Sequence, residues 1–117
     1  MTEAPTSYTE KRPWGSFERF TLNEPSTVKL ITVNPGEAFS LQTHKGRDEW
    51  WKMISGDGIA TIGAEKKTIA PGDEYFVPRG TLHQIEAGKS QVVFLEVSFG
   101  SFDENDIVRI NDRYGRL

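Results

Sequence analysis

Residues 41–51 read LQTHKGRDEWW, which crowds a glutamine, a histidine, an arginine and two carboxylates into one short stretch. Such a mixture suits either a solvent-facing loop or the rim of a metal site. The chain has no cysteine, so a metal would have to be held by imidazole, carboxylate, amide oxygen or water. The other histidine in the sequence is His83. Strand parity narrows the choice. If 38–44 is extended, Ser40, Gln42 and His44 share one face while Thr43 points away. In the next segment Glu49, Trp51 and Met53 share a face, and the apolar company of Trp51 and Met53 marks it as the interior. A carboxylate facing that interior costs several kcal/mol unless it is paired or bound to a cation. Arg47 is one such partner and a metal ion is the other. A metal would also account for Gln42 and His44 pointing the same way, with His83 supplying the remaining ligand.

Short strands have to present these side chains. The sequence predicts extended segments over SFERF (16–20), TVKLITV (27–33), AFSLQ (38–42), EWWKMIS (49–55), IATI (59–62), KTIA (67–70), EYFVP (74–78) and QVVFLEVSF (91–99). NPGE, GDG, GAEK and PGD separate them as turn signals. His83 follows the turn PRGT and opens a further strand. The acidic stretch DENDIV is the one helix candidate, with Asp103 placed to cap a short turn. Many short strands in a chain this small predict an all-β sandwich or closed barrel, which leaves few free strand edges. The first dozen residues lack periodicity and read as an N-terminal arm, 1–11, with order beginning near Trp14 and a single domain over 12–117.

Composition sets further bounds. With 117 residues, 36% of them hydrophobic, the chain fits one domain able to bury its core without staples. Fourteen basic against seventeen acidic residues give a net charge of −3. No basic block stands out that would neutralise phosphates along a nucleic acid, so nucleic acid is not an expected partner. The polar N-terminus MTEAPTSYTEKRP has no apolar segment of signal-peptide type, and no apolar run approaches the roughly 20 residues of a membrane span. A soluble cytoplasmic protein without a membrane partner is the expectation.

Two spacings carry a family resemblance. Gly36, five residues, Gln42, one, His44, four, Glu49, six, Gly56 resembles the first cupin motif, with glutamine in place of its first histidine. Gly72, five residues, Pro78, one, Gly80, two, His83 is similar to the second. KRPWGSFE at 11–18, RDEWW at 47–51, YFVPRGTLH at 75–83, LEVSFG at 95–100 and DENDIVRINDRYGR at 103–116 resemble the cupin domain of type II mannose-6-phosphate isomerases, a domain often fused behind a mannose-1-phosphate guanylyltransferase. The resemblance implies a cupin double-stranded β-helix, a jelly-roll barrel. It implies a divalent metal held by Gln42, His44, Glu49 and His83, for which zinc suits the two nitrogen and two oxygen ligands and manganese, iron, cobalt or nickel are alternatives. It further implies interconversion of mannose 6-phosphate and fructose 6-phosphate, in which the metal polarises sugar oxygens while a base moves a proton between C1 and C2. Arg47 matches an arginine of the first-motif loop and is assigned as the catalytic residue, in contact with the substrate or the enediolate. Arg12, Arg113 and Arg116 would hold the phosphate, because guanidinium forks match its oxygens. A homodimer burying an exposed sheet face, and a separate sugar nucleotidyltransferase as partner, complete the expectations.

The chain also departs from that family. Lys45 and Gly46 stand where it usually has histidines, Trp50 where it has another, and Gln84 and Ala87 where it commonly has arginine and asparagine. Simpler readings accompany each assignment. Glu49 pairs with Arg47 in an empty barrel, the C-terminal arginines pair with Asp103, Glu104, Asp106 or Asp112, and Trp14, Trp50 and Trp51 are packing anchors, of which Trp51 alone has the parity to see the cavity. The corresponding second function is a module that binds a metal or sugar phosphate without turnover; an oxidase or dioxygenase is the third.

Overall fold

The structure is a computed structural model that describes residues 7–116. Its strands are β1 (Tyr8–Arg12), β2 (Gly15–Arg19), β3 (Ser26–Val33), β4 (Leu41–Thr43), β5 (Arg47–Ser55), β6 (Gly58–Ile62), β7 (Glu65–Ile69), β8 (Glu74–Val77), β9 (His83–Ala87), β10 (Val92–Gly100) and β11 (Val108–Asn111). Paired strands run antiparallel. β1 and β2 form a hairpin, a four-stranded sheet has the order β3-β10-β5-β8, and a five-stranded sheet has the order β11-β4-β9-β6-β7. The expectation of an all-β jelly roll therefore holds, and among the described residues no helix is long and apolar enough to cross a membrane.

Alternation of side chains explains both the core and the site. On β10, Val92, Phe94, Glu96 and Ser98 turn inward and are buried. On β5 the inward series is Met53, Trp51, Glu49 and Arg47; on β9 it is Ala87, Ile85 and His83. Along each strand the inward residues change from apolar at one end to polar at the other. The apolar end forms a core around Val33, Trp51, Met53, Ile85, Val92 and Phe94, where each large side chain contributes about 2 kcal/mol by leaving water. The polar end cannot close in that way, and it forms a cavity between the sheets.

Turn chemistry follows the glycines. Gly56 has φ +102°, and a Cβ there would lie 2.1 Å from the carbonyl oxygen of Gln91, so no other residue fits between β5 and β6.

Three elements differ from expectation. β1 lies inside the stretch read as an aperiodic arm, because its residues are mostly exposed on both faces and pair only with β2; residues 1–6 of that arm lie outside the described residues. Residues 38–40 are not strand apart from a single bridge between Ala38 and Glu86, although Ser40 is buried on the side parity assigned to it. DENDIV forms a turn in which the Asn105 N–H donates to Asp103 Oδ1 at 2.9 Å, and β11 follows it.

The outer face of the four-stranded sheet is unevenly covered. Trp50 packs on Phe20 with ring centroids 4.9 Å apart, whereas Val28 and Leu30 on β3 are 58% and 65% exposed.

Candidate metal centre

His44, Glu49 and His83 are buried, and each offers a donor atom within 4.8 Å of the others. His44 follows β4, Glu49 sits on β5 and His83 opens β9, so the cluster spans both sheets. Its separations are 3.4 Å from His44 Nε2 to Glu49 Oε2 and 3.7 Å from His83 Nε2 to Glu49 Oε1. Gln42 is the register partner of His83, and its Nε2 lies 3.3 Å from His44 Nε2 while its Oε1 accepts the Ser40 hydroxyl at 2.5 Å.

The backbone fixes both imidazoles. His44 Nδ1 lies 2.6 Å from the carbonyl oxygen of Asp106, and His83 Nδ1 lies 2.9 Å from that of Thr81. A carbonyl accepts only, so each Nδ1 carries the proton and each Nε2 turns a lone pair to the cluster. Burial pushes both imidazoles below their usual pKa, which keeps them neutral and fit to be ligands. His83 Nε2 is buried and has no hydrogen-bond partner among the described residues. Such an orphan costs about 1–3 kcal/mol unless something accepts its lone pair. A divalent cation fits this donor set of two neutral imidazoles and a carboxylate.

Arg47 occupies the same ground. Its Nε donates to Glu49 Oε2 at 3.1 Å, its Nη2 lies 3.1 Å from His44 Nε2, and its Nη1 donates to the carbonyl of Asp103 at 3.2 Å. The Phe102 ring lies 4.4 Å from its guanidinium carbon. Trp51 Nε1 donates to Glu49 Oε1 at 3.1 Å. Burial opposes ionisation of Glu49, but a hydrogen bond from Glu96, the nearby imidazoles and the bond from Arg47 hold its carboxyl below the usual range. Glu96 responds in the opposite sense. Burial, reinforced by that hydrogen bond and the charge of Glu49, pushes its carboxyl up to about 9, so it is protonated at neutral pH.

Loop contacts hold the cluster in register. The Gly80 N–H donates to the carbonyl of His44 at 2.7 Å, and buried Asp48 accepts the Arg79 N–H at 2.7 Å and its Nη2 at 3.2 Å. Asp106 Oδ1 and Oδ2 accept the N–H groups of Lys45 and Gly46 at 2.9 and 2.7 Å.

Gln42, His44, Arg47, Glu49, Trp51 and His83 all line one cavity of about 220 Å³, together with Lys29, Glu96, Glu104 and Arg109. Arg12, Arg113 and Arg116 are not among its lining residues. Arg12 pairs with Glu10 in the β1–β2 hairpin. Arg113 donates to the carbonyl of Gly36 at 2.7 Å and to Glu86, and Arg116 donates twice to Asp112 at 2.8 Å. A second, shallower depression of about 540 Å³ lies beyond Ile31 and Phe39 and reaches Tyr114 and Arg116, but it lacks the metal-competent cluster. Lys45, Gly46, Trp50, Gln84 and Ala87 do not line the metal-site cavity. Lys29, Glu96, Asp106 and Arg109 were not singled out from sequence as parts of the site; only Glu96 left a signal there, a carboxylate in phase with Phe94.

Residues 2–112 match the family described as mannose-6-phosphate isomerase C-terminal. The chain is similar to the mannose-1-phosphate guanylyltransferase ManC of Salmonella typhimurium, at 40% identity over 108 residues covering 91% of this chain and 22% of that protein. The chain thus spans about a fifth of the length of that relative. Among solved structures it is similar to a cupin protein from Bacteroides fragilis, with TM-score 0.60 and 26% identity over 65% of this chain and 66% of that one. It is also similar in fold to the capsular polysaccharide assembling protein CapF of Staphylococcus aureus, with TM-score 0.67 and 19% identity over 91% of this chain and 33% of that one. The fold is the cupin double-stranded β-helix.

Proposed function

The chain belongs to the mannose-6-phosphate isomerase C-terminal family, and on that premise we propose that it is a metal-dependent isomerase interconverting mannose 6-phosphate and fructose 6-phosphate. The observation that carries this reading is the orphaned His83 Nε2, buried beside His44 and Glu49 at one end of a cavity. Gln42, His44, Glu49 and His83 would hold the ion, with the Gln42 amide turned to offer its oxygen; zinc fits this set best. Bound there, a divalent ion would supply Lewis acidity to adjacent sugar oxygens. Arg47 lies against the same donor atoms and is placed to contact a ligand oxygen once it gives up Glu49. Trp51 and Phe39 form apolar parts of the cavity wall. The family departures lie off the cavity lining, Trp50 against Phe20 on the outer face.

The experiment is a coupled assay of the metal-reconstituted protein with mannose 6-phosphate, detecting fructose 6-phosphate. Turnover that vanishes in Glu49→Gln and His83→Ala supports the isomerase. One observation favours a second reading: Arg47 satisfies both His44 and Glu49 without any ion. A binding module serving a separate nucleotidyltransferase would hold sugar phosphate tightly and yield no product. We further infer a homodimer through the outer face of the four-stranded sheet. Val28 and Leu30 are exposed there beside their register partners Val97 and Leu95. A mass measured by light scattering at the monomer value would overturn it.

A further inference from the structure

Two buried side-chain atoms find no hydrogen-bond partner among the described residues, His83 Nε2 and Arg109 Nε, and both residues border the same cavity. The first belongs to the metal cluster. The second is independent of it. Arg109 lies on β11, the edge of the five-stranded sheet, directly opposite Gln42. Cross-strand partners share a face and stand about 5 Å apart, so Arg109 turns inward beside the proposed ligands while its neighbours Val108 and Ile110 are exposed.

One cation of the cavity stands apart from its carboxylates. Three cationic side chains line it: Lys29, Arg47 and Arg109. Arg47 is paired with Glu49, and Lys29 Nζ donates to Glu104 Oε1 at 3.1 Å. Among the described residues Arg109 has no carboxylate in ion-pair contact. A guanidinium facing a cavity with a buried N–H unmet is a donor set in want of an oxyanion.

We propose that Arg109 and Lys29 form the subsite for the phosphate monoester of the ligand, in the same cavity as the donors of His44, Glu49 and His83. This assignment rests on the sugar-phosphate reading above, and it names cations different from Arg12, Arg113 and Arg116. Arg109 Nε and one terminal nitrogen present the parallel N–H pair that matches two phosphate oxygens. Lys29 comes from β3, the edge of the four-stranded sheet, so the two cations approach the phosphate from opposite sheets. The side chain of Glu104 is 74% exposed, and water takes it when phosphate replaces it on Lys29.

The test titrates the full chain with inorganic phosphate in the metal-free state and with mannose 6-phosphate and mannose in the metal-loaded state, by calorimetry. Arg109→Met is expected to weaken inorganic phosphate and mannose 6-phosphate by about 10-fold or more. Its affinity for the metal and for unphosphorylated mannose stays at the wild-type value. Arg109→Lys falls between the two, and Lys29→Met weakens phosphate by a smaller factor. Wild-type phosphate affinity in a folded Arg109→Met variant overturns the proposal, as does equal loss for mannose and mannose 6-phosphate. Should Arg109→Met fail to fold, Arg109→Lys and Lys29→Met decide the matter on the same readouts. Absence of fructose 6-phosphate in the wild type would defeat the isomerase reading alone, since the phosphate titration needs no turnover.

Discussion

Arg47 Nη2 lies 3.1 Å from His44 Nε2, so a guanidinium N–H holds the lone pair that a metal ion would take. The same side chain neutralises Glu49. Ion and guanidinium therefore compete, both for a donor atom and as like charges a few ångströms apart. Arg47→Met is expected to bind cobalt or zinc about 10-fold more tightly in calorimetry. Without metal the same variant should lose about 3 kcal/mol in urea unfolding, because Glu49 is left buried without its cation. Weaker metal binding in this variant would show that Arg47 supports the ion rather than opposing it.

Metal should also stabilise the fold, because the donors come from two sheets that separate on unfolding. Free metal at about 100 times its dissociation constant is expected to add about 2.7 kcal/mol, read as a rise in thermal midpoint that a chelator reverses. His83→Ala should remove the shift. A shift of equal size in His83→Ala would place the ion elsewhere.

Much of this cluster was legible in the sequence because a period of two is a strong constraint. Once 38–44 and 49–55 read as extended, Gln42 and His44 had to share a face and Glu49 had to point inward, and His83 was the other histidine, opening a strand after its turn. Arg109 and Lys29 were not legible. In VRIN the apolar Val108 and Ile110 point outward and the arginine inward, which inverts the usual reading of an amphipathic strand, and only the pairing with Gln42 across a large sequence gap reveals it. Asp106 is hidden similarly: its contacts with His44, Lys45 and Gly46 span some sixty residues. Glu96 was within reach, since parity in QVVFLEVSF puts it with Phe94. β1 was missed because neither face of YTEKR is buried and its strand character comes from β2 alone.

Asp106 acts on the site through His44. Its carboxylate receives two backbone N–H groups of the loop after His44, while its carbonyl receives the imidazole. Asp106→Ala keeps the carbonyl but frees the loop. Metal affinity is expected to fall about 10-fold or more, as for other groups that orient a ligand, with some loss of stability. Asp106→Asn, which retains one acceptor oxygen, should recover part of the affinity. A variant that loses stability but keeps wild-type metal affinity would reduce Asp106 to a loop anchor.

Glu96 sets the pH dependence of the metal-free fold. Its carboxyl is pushed up to about 9 in the fold, far above the ordinary glutamate range, because burial and the adjacent Glu49 penalise its charge. A group whose folded pKa is raised contributes stability that is fully present below the unfolded value. That contribution is lost as pH rises toward the folded one. Between about pH 5 and about pH 9 the unfolded chain has released this proton and the folded chain has not, so the folded state weakens steadily across that window. Glu96→Gln keeps an amide N–H for Glu49 and has no proton to lose. The urea midpoint of the wild type should therefore fall relative to that of Glu96→Gln as pH rises, by an amount on the order of 2 kcal/mol because the two carboxyls share the proton. Both histidines remain in both proteins, so their titration cancels in the difference. Parallel midpoints across the window would mean that Glu96 is ionised in the fold and that Lys29, not Glu49, governs it.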